Sequence, residues 1–208
     1  MFYLGLDLGK KQDYSAIAVV ERYEPIHAWQ APAGTELMVR HLERLPLGTP
    51  YPAVVERVRA LVTSEELRHG CLVAADATGV GDPVLDILRG ARLGCEVTAV
   101  TITSGSKATA SGSVAAPACG VPKQDLIAGL QVILESRELK IAEGLAETGT
   151  LVRELMDVRY YSGMRGRQRI GADGSGEHDD LVIALALAVW RCGRGPKKKV
   201  IFGDKRLF

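Results

Sequence analysis

The chain has 208 residues, of which 47% are hydrophobic and 25% charged, and its formal net charge is +1. That size and balance suit one globular α/β domain that forms its core without disulfides or metals as staples. They exclude a basic footprint spread over the whole molecule, so any nucleic-acid contact has to be local, through patches or metal ions.

In chain order, residues 2–9, "FYLGLDLG", read as a strand ending in a polar turn. "SAIAVVERY" (15–23) and "PIHAWQA" (25–31) follow as second and third strands of a β-meander with short connections. Residues 53–65 place Val54, Val55, Val58, Leu61 and Val62 on one helical face. "GCLVAAD" (70–76) is a continuous apolar run, as in a central strand covered on both faces. A helix is predicted from Pro83, a good first-turn residue, to about Leu88. "CEVTAVTI" (95–102) is a fifth strand. Residues 103–120 are small, polar and Gly/Ser-rich, and read as a long loop. Leu126, Ile127, Leu130, Ile133 and Leu134 mark an amphipathic helix, and Leu151, Val152, Leu155 and Met156 another. Residues 162–176 suggest a hairpin or loop on which Arg165, Arg167 and Arg169 alternate. A last helix is almost wholly apolar from Leu181 to Trp190, and the basic run Lys197 to Lys199 lies in a tail, residues 195–208.

Strand–helix–strand connections are right-handed crossovers between parallel strands. The predicted fold is therefore a mixed five-stranded sheet, an antiparallel meander continued by parallel strands, with helices on both faces, in one domain spanning 1–208. Cys71, Cys95, Cys119 and Cys192 include no C-x-x-C pair. This argues against a zinc site or a disulfide framework and for thiols in a reducing cytosol. Neither a signal peptide nor an apolar run of membrane-spanning length is apparent, so the expected location is cytoplasmic.

Three acidic positions stand out. Asp7 interrupts an apolar strand, and the two-residue alternation puts it on the face opposite Leu6 and Leu8; an acid there is unusual. Asp76 ends the fourth strand, where open α/β sheets build their sites. Asp179 and Asp180 begin the last helix, where the dipole favours anions. A turn or helix-cap role accounts for Asp76, Asp179 or Asp180 singly, but less well for all of them together with Asp7. Carboxylates from two strands and a helix end are suited to hard divalent cations, which take oxygen ligands and complete their shells with water and phosphate.

Three stretches resemble the acidic motifs of the RNase H-like superfamily: "YLGLDLGKKQDYSAIAVVE", "LVAADATGVGDPVLDIL" and "GEHDDLVIALALA". They look most like the nuclease domain of the large terminase subunit of tailed phages. The segment 121–141 is similar to what those nucleases carry between their second and third motifs. The resemblance implies a metal-dependent endonuclease that cleaves double-stranded DNA during viral packaging by two-metal phosphodiester hydrolysis. It assigns Asp7, Asp76 and one or both of Asp179 and Asp180 to two Mg²⁺ or Mn²⁺ ions, with Asp13 as an accessory acid and His178 in contact with substrate or tuning the site. Implied partners are double-stranded DNA and other packaging components: motor, portal and small subunit. If the chain is viral, its location is the host cytoplasm.

Ile183 stands where many members carry a further Asp. No G-x-x-x-x-G-K-[ST] loop is present, so an ATP-driven motor is not expected within this chain. It is expected to be either an excised domain or a stand-alone nuclease-like protein. Lys10, Lys11, Lys107, Lys123, Arg165, Arg167 and Arg169 are the candidate DNA contacts; phosphate contacts of this kind position a duplex without reading sequence. A Holliday-junction resolvase of the same superfamily and a non-catalytic DNA-binding or assembly module on the same fold are the alternatives. An actin-like ATPase or sugar kinase also begins with a similar first motif, but needs two lobes.

Overall fold

A computed structural model describes residues 1–9, 13–23, 36–79, 82–114, 116–162, 168–171 and 178–193. The first strand, β1 (Phe2–Asp7), pairs antiparallel with β2 (Ala16–Tyr23), which pairs antiparallel with β3 (Glu36–Arg44). Helix α1 (Tyr51–Val62) leads to β4 (Cys71–Asp76), which returns parallel to β1. Helix α2 (Asp82–Gly90) then leads to β5 (Glu96–Thr103), parallel to β4. Both crossovers thus end in parallel pairing, and the mixed sheet with helices on both faces is present.

Among the described residues the sheet has eight strands, not five, in the order β6-β7-β5-β4-β1-β2-β3-β8. The extra strands are β6 (Thr109–Gly112), β7 (Pro117–Pro122) and β8 (Leu139–Ile141). Two of them come from the stretch that reads as a long loop. Its small and polar residues lack apolar alternation because β6 is exposed along its whole length at the sheet edge. Such a strand is held by its ladder to β7 rather than by burial. The third strand among the described residues is Glu36–Arg44, a stretch not predicted as a strand; residues 25–31 lie outside the described residues. Leu37, Val39 and Leu42 are its buried positions; Arg40, passed over where Val19 pairs with His41 and Val20 with Val39, is the extra residue that breaks the two-residue spacing.

Two apolar layers flank the sheet. Leu4, Leu6, Leu8, Ile17, Val19, Val73 and Ala75 pack on α1 and α2, through Val54, Val58, Val84 and Leu88. Tyr3, Ala16, Ala18, Val20, Ala74 and Val100 face the other way, onto α3 (Lys123–Glu135), α4 (Thr148–Asp157) and α5 (Asp180–Gly193). Asp7 follows Tyr3 and Gly5 on this second face, opposite Leu6 and Leu8 as the alternation predicts.

In α1, Val54, Val55, Val58 and Val62 are buried. In α4 the expected stripe is only half right. Leu151 is buried and Leu155 packs on the core, but Val152 and Met156 are exposed, and Glu154 is buried in their place. The strands β9 (Arg159–Ser162) and β10 (Gln168–Gly171) form the expected hairpin as a separate two-stranded sheet. Cys71 and Cys192 are buried, whereas Cys95 and Cys119 are partly accessible.

Helix α5 is the centre of the second layer. Every residue from Leu181 to Val189 is buried. Its fully buried leucines, Leu181, Leu185 and Leu187, each contribute on the order of 2 kcal/mol by leaving water. Its alanines let it lie directly on the sheet: a Cβ on Gly5 would stand 1.8 Å from the carbonyl oxygen of Ala184. Glycine at that point of β1 is thus a requirement of contact between two backbones.

Candidate metal centre

The register of the central strands brings the first two acids together. Leu6 pairs with Ala75 across the parallel β1–β4 ladder, so Asp7 and Asp76 come next on adjacent strands at their C-terminal ends. The start of α5 supplies the third side. A cavity of about 430 Å³ opens between them, walled by Asp7, Asp13, Asp76, His178, Asp179 and Asp180. Leu8, Gly9, Thr78, Ile102, Lys123 and Ile183 complete the lining.

Asp76 is tied down locally. Its Oδ1 accepts the Thr78 backbone N–H at 2.7 Å, and Thr78 Oγ1 accepts the Ile102 N–H at 2.8 Å, which fastens the turn after β4 to β5. On the first motif, the Gly9 N–H donates to Ser15 Oγ at 3.1 Å. A Cβ at Gly9 would collide with the carbonyl oxygen of Asp13, 2.3 Å away, so glycine is required where these two backbones meet. Lys123 Nζ donates to Asp179 Oδ2 at 2.6 Å.

Asp180 is only 6% exposed, and its Oδ2 has no hydrogen-bond partner among the described residues. Arg44 Nη2 and His178 Nδ1 are each 3.6 Å from that oxygen. Burial pushes the Asp180 carboxyl up to about 6; Arg44 and His178 restrain it, while Asp179 and Asp13 add to the rise. Asp7 is held well above the ordinary carboxylate range, first by burial and then by the charges of Asp76, Asp180 and Asp179, with Lys123 opposing. A buried carboxylate among like charges favours its protonated form unless a cation arrives.

The donor set fits a hard divalent cation: carboxylate oxygens from several elements, one of them buried and unmatched by a hydrogen-bond donor. Among the described residues, no three His, Cys, Asp or Glu side chains are drawn together into a finished cage. The acids stand along the walls with open space between them, an arrangement suited to an ion that keeps several waters.

Asp179 precedes the first helical residue. The 100° offset between helix neighbours therefore does not separate it from Asp180, and both line the cavity. Lys107 is exposed, and Lys123 is inside the acidic cleft rather than on an outer face. Lys10, Lys11, Arg165 and Arg167 lie outside the described residues, and Arg169 belongs to β10. Arg44 and Glu154, beside the cleft, carry no motif signal, and Tyr14 and Thr78 lie within the quoted motifs without standing out there. The Arg44 guanidinium lies 4.8 Å over the Tyr14 ring, whose edge meets His178 at 5.0 Å.

A mixed sheet whose central strands and final helix bring acids into one cleft is the architecture of RNase H-like proteins. No family model matches the sequence. The large terminase subunit of Thermus virus P23-45 is 31% identical over 188 residues, and that of Thermus phage G20c is 30% identical over the same length. In both comparisons the match covers 90% of this chain and 31% of the relative, so the chain spans about a third of the relatives' length. The large terminase nuclease of phage G20c, solved with bound magnesium, superimposes with a TM-score of 0.66 at 27% identity, covering 92% of this chain and 81% of that one. The chain is a homologue of phage large terminase subunits and has the fold of their nuclease domain. Among the described residues, no helix is long and apolar enough to cross a membrane.

Proposed function

We propose that the chain is one nuclease domain that cleaves double-stranded DNA during phage packaging, with Asp7, Asp76, Asp179 and Asp180 as its metal-binding carboxylates. The observation that carries this reading is the convergence of all four on one cleft. The large terminase subunits it is related to support DNA and packaging components as partners.

Two divalent cations, Mg²⁺ or Mn²⁺, would supply an activated water and stabilise the leaving oxygen. Asp7 and Asp76 would hold them from the sheet and Asp180 from the helix, with the orphaned Asp180 Oδ2 as an open ligand atom. Asp179 would join them on release from Lys123, which then has an ammonium to offer a phosphate oxygen. Asp13 and His178 flank the cleft, as an accessory acid and a substrate contact. Lys10, Lys11, Lys107, Arg165, Arg167 and Arg169 are proposed to meet the phosphate backbone.

Plasmid DNA should be nicked and then degraded in Mg²⁺ or Mn²⁺ and left intact in EDTA. Asp7→Ala and Asp76→Ala should each abolish cleavage without loss of folding. Persistent cleavage by both purified variants would refute the assignment.

A further inference from the structure

The start of α5 is braced by a side chain from another element. Glu154 of α4 is 6% exposed, and its Oε2 accepts the backbone N–H groups of Leu181 at 2.9 Å and Val182 at 3.1 Å. These are first-turn donors that a helix cannot satisfy for itself. The usual remedy is a short polar side chain at the helix boundary. Here both boundary acids are turned to the cleft: Asp179 to Lys123, Asp180 with an oxygen that takes no hydrogen bond among the described residues. A carboxylate 27 positions upstream does the capping instead.

The second oxygen, Glu154 Oε1, accepts a hydrogen bond from Arg44 at the end of β3. Arg44 also reaches toward Asp180 and stacks over Tyr14. A buried ion pair is weak evidence of stability unless its remaining polar atoms are satisfied. In this pair both carboxylate oxygens are used, one by Arg44 and one by the helix, while Arg44 Nε has no hydrogen-bond partner among the described residues.

We propose that Glu154 and Arg44 are positioning residues for the acidic cleft: Glu154 caps α5 in place of the local aspartates, and Arg44 ties that cap to β3. Asp179 and Asp180 are thereby aimed into the cleft rather than spent on their own helix. The capping stands on the geometry alone; its consequence for cation binding rests on the nuclease reading.

The test uses the full chain with Glu154→Ala, Glu154→Gln and Arg44→Lys. Hydrogen exchange of the Leu181 and Val182 amides is followed without metal, and Mn²⁺ binding by calorimetry. Glu154→Ala should speed exchange of those two amides selectively, with β1 still protected, and weaken Mn²⁺ binding about tenfold or more, as loss of a group that orients ligands does. Glu154→Gln keeps an oxygen for the helix but loses the charge for Arg44. It should retain amide protection while weakening Mn²⁺ binding, and so should Arg44→Lys. Unchanged exchange and Mn²⁺ affinity in Glu154→Ala would overturn the proposal. Should that variant fail to fold, wild-type Mn²⁺ affinity in both Glu154→Gln and Arg44→Lys would overturn it. If the unmodified chain neither binds Mn²⁺ nor cleaves DNA, the nuclease reading has failed, and the exchange of Leu181 and Val182 still decides the capping.

Discussion

Replacing Asp180 by asparagine should stabilise the metal-free protein. In the fold its carboxyl is pushed from 3.8 to about 6, because burial outweighs the attraction of Arg44 and His178. At about 1.4 kcal/mol per pH unit, that difference corresponds to about 3 kcal/mol of lost stability once the group is ionised in both folded and unfolded chains. Asparagine keeps the shape, removes the charge and also relieves Asp7, which Asp180 destabilises. Arg44 keeps Glu154 as its partner. For a chain of this length the gain corresponds to a melting temperature roughly 6–12 °C higher at pH 8. At pH 4 the wild-type carboxyl is largely protonated, so the gain should nearly vanish. Thermal melts of both proteins in EDTA at the two pH values measure it. A variant that melts no higher at pH 8, or gains equally at pH 4, would refute the reasoning.

Gly5→Ala should be severely destabilising, since its Cβ would overlap the Ala184 carbonyl oxygen of a fully packed helix. Overpacking of this kind costs about 3 kcal/mol, which denaturant titration should register as a lower midpoint with little change in slope. The pH response of the wild type should depend on metal. Folded-state values raised above the unfolded ones mean that the metal-free protein loses stability as pH rises from about 4 through about 6, and further as Asp7 ionises. With saturating Mn²⁺, which binds the ionised carboxylates, melting temperature should instead rise over the same range. Parallel curves with and without Mn²⁺ would contradict this linkage.

Much of the cleft was legible in the chain because its acids violate local rules. Asp7 breaks an apolar strand, Asp76 ends one, and Asp179 and Asp180 abut a run of ten buried or nearly buried residues. The three elements that carry them, β1, β4 and α5, are also marked by their apolar runs. The third strand was harder to place. Arg40 is an extra residue in its pairing with β2, and it breaks the alternation between Val39 and Leu42. Edge strands such as β6 bury nothing and leave no hydropathic trace. Glu154 was invisible for a related reason: in α4 it resembles an ordinary surface acid, whereas Met156 resembles a core residue. Only the tertiary partners, Arg44 and the open end of α5, explain why the acid goes in and the methionine stays out.

The adjacent placement of Asp7 and Asp76 has a mechanical consequence. Neighbouring strands are spaced by their hydrogen bonds at about 4.8 Å, close to the separation of roughly 4 Å between paired catalytic cations. The backbone ladder thus serves as a gauge block for half of the cleft, indifferent to the size of the side chains packed beneath it. The other half, on α5, has no such standard and takes its setting from core packing and the Glu154 brace. Wear from substitutions in the core should accumulate on the helix side, while the strand-borne pair keeps its calibration.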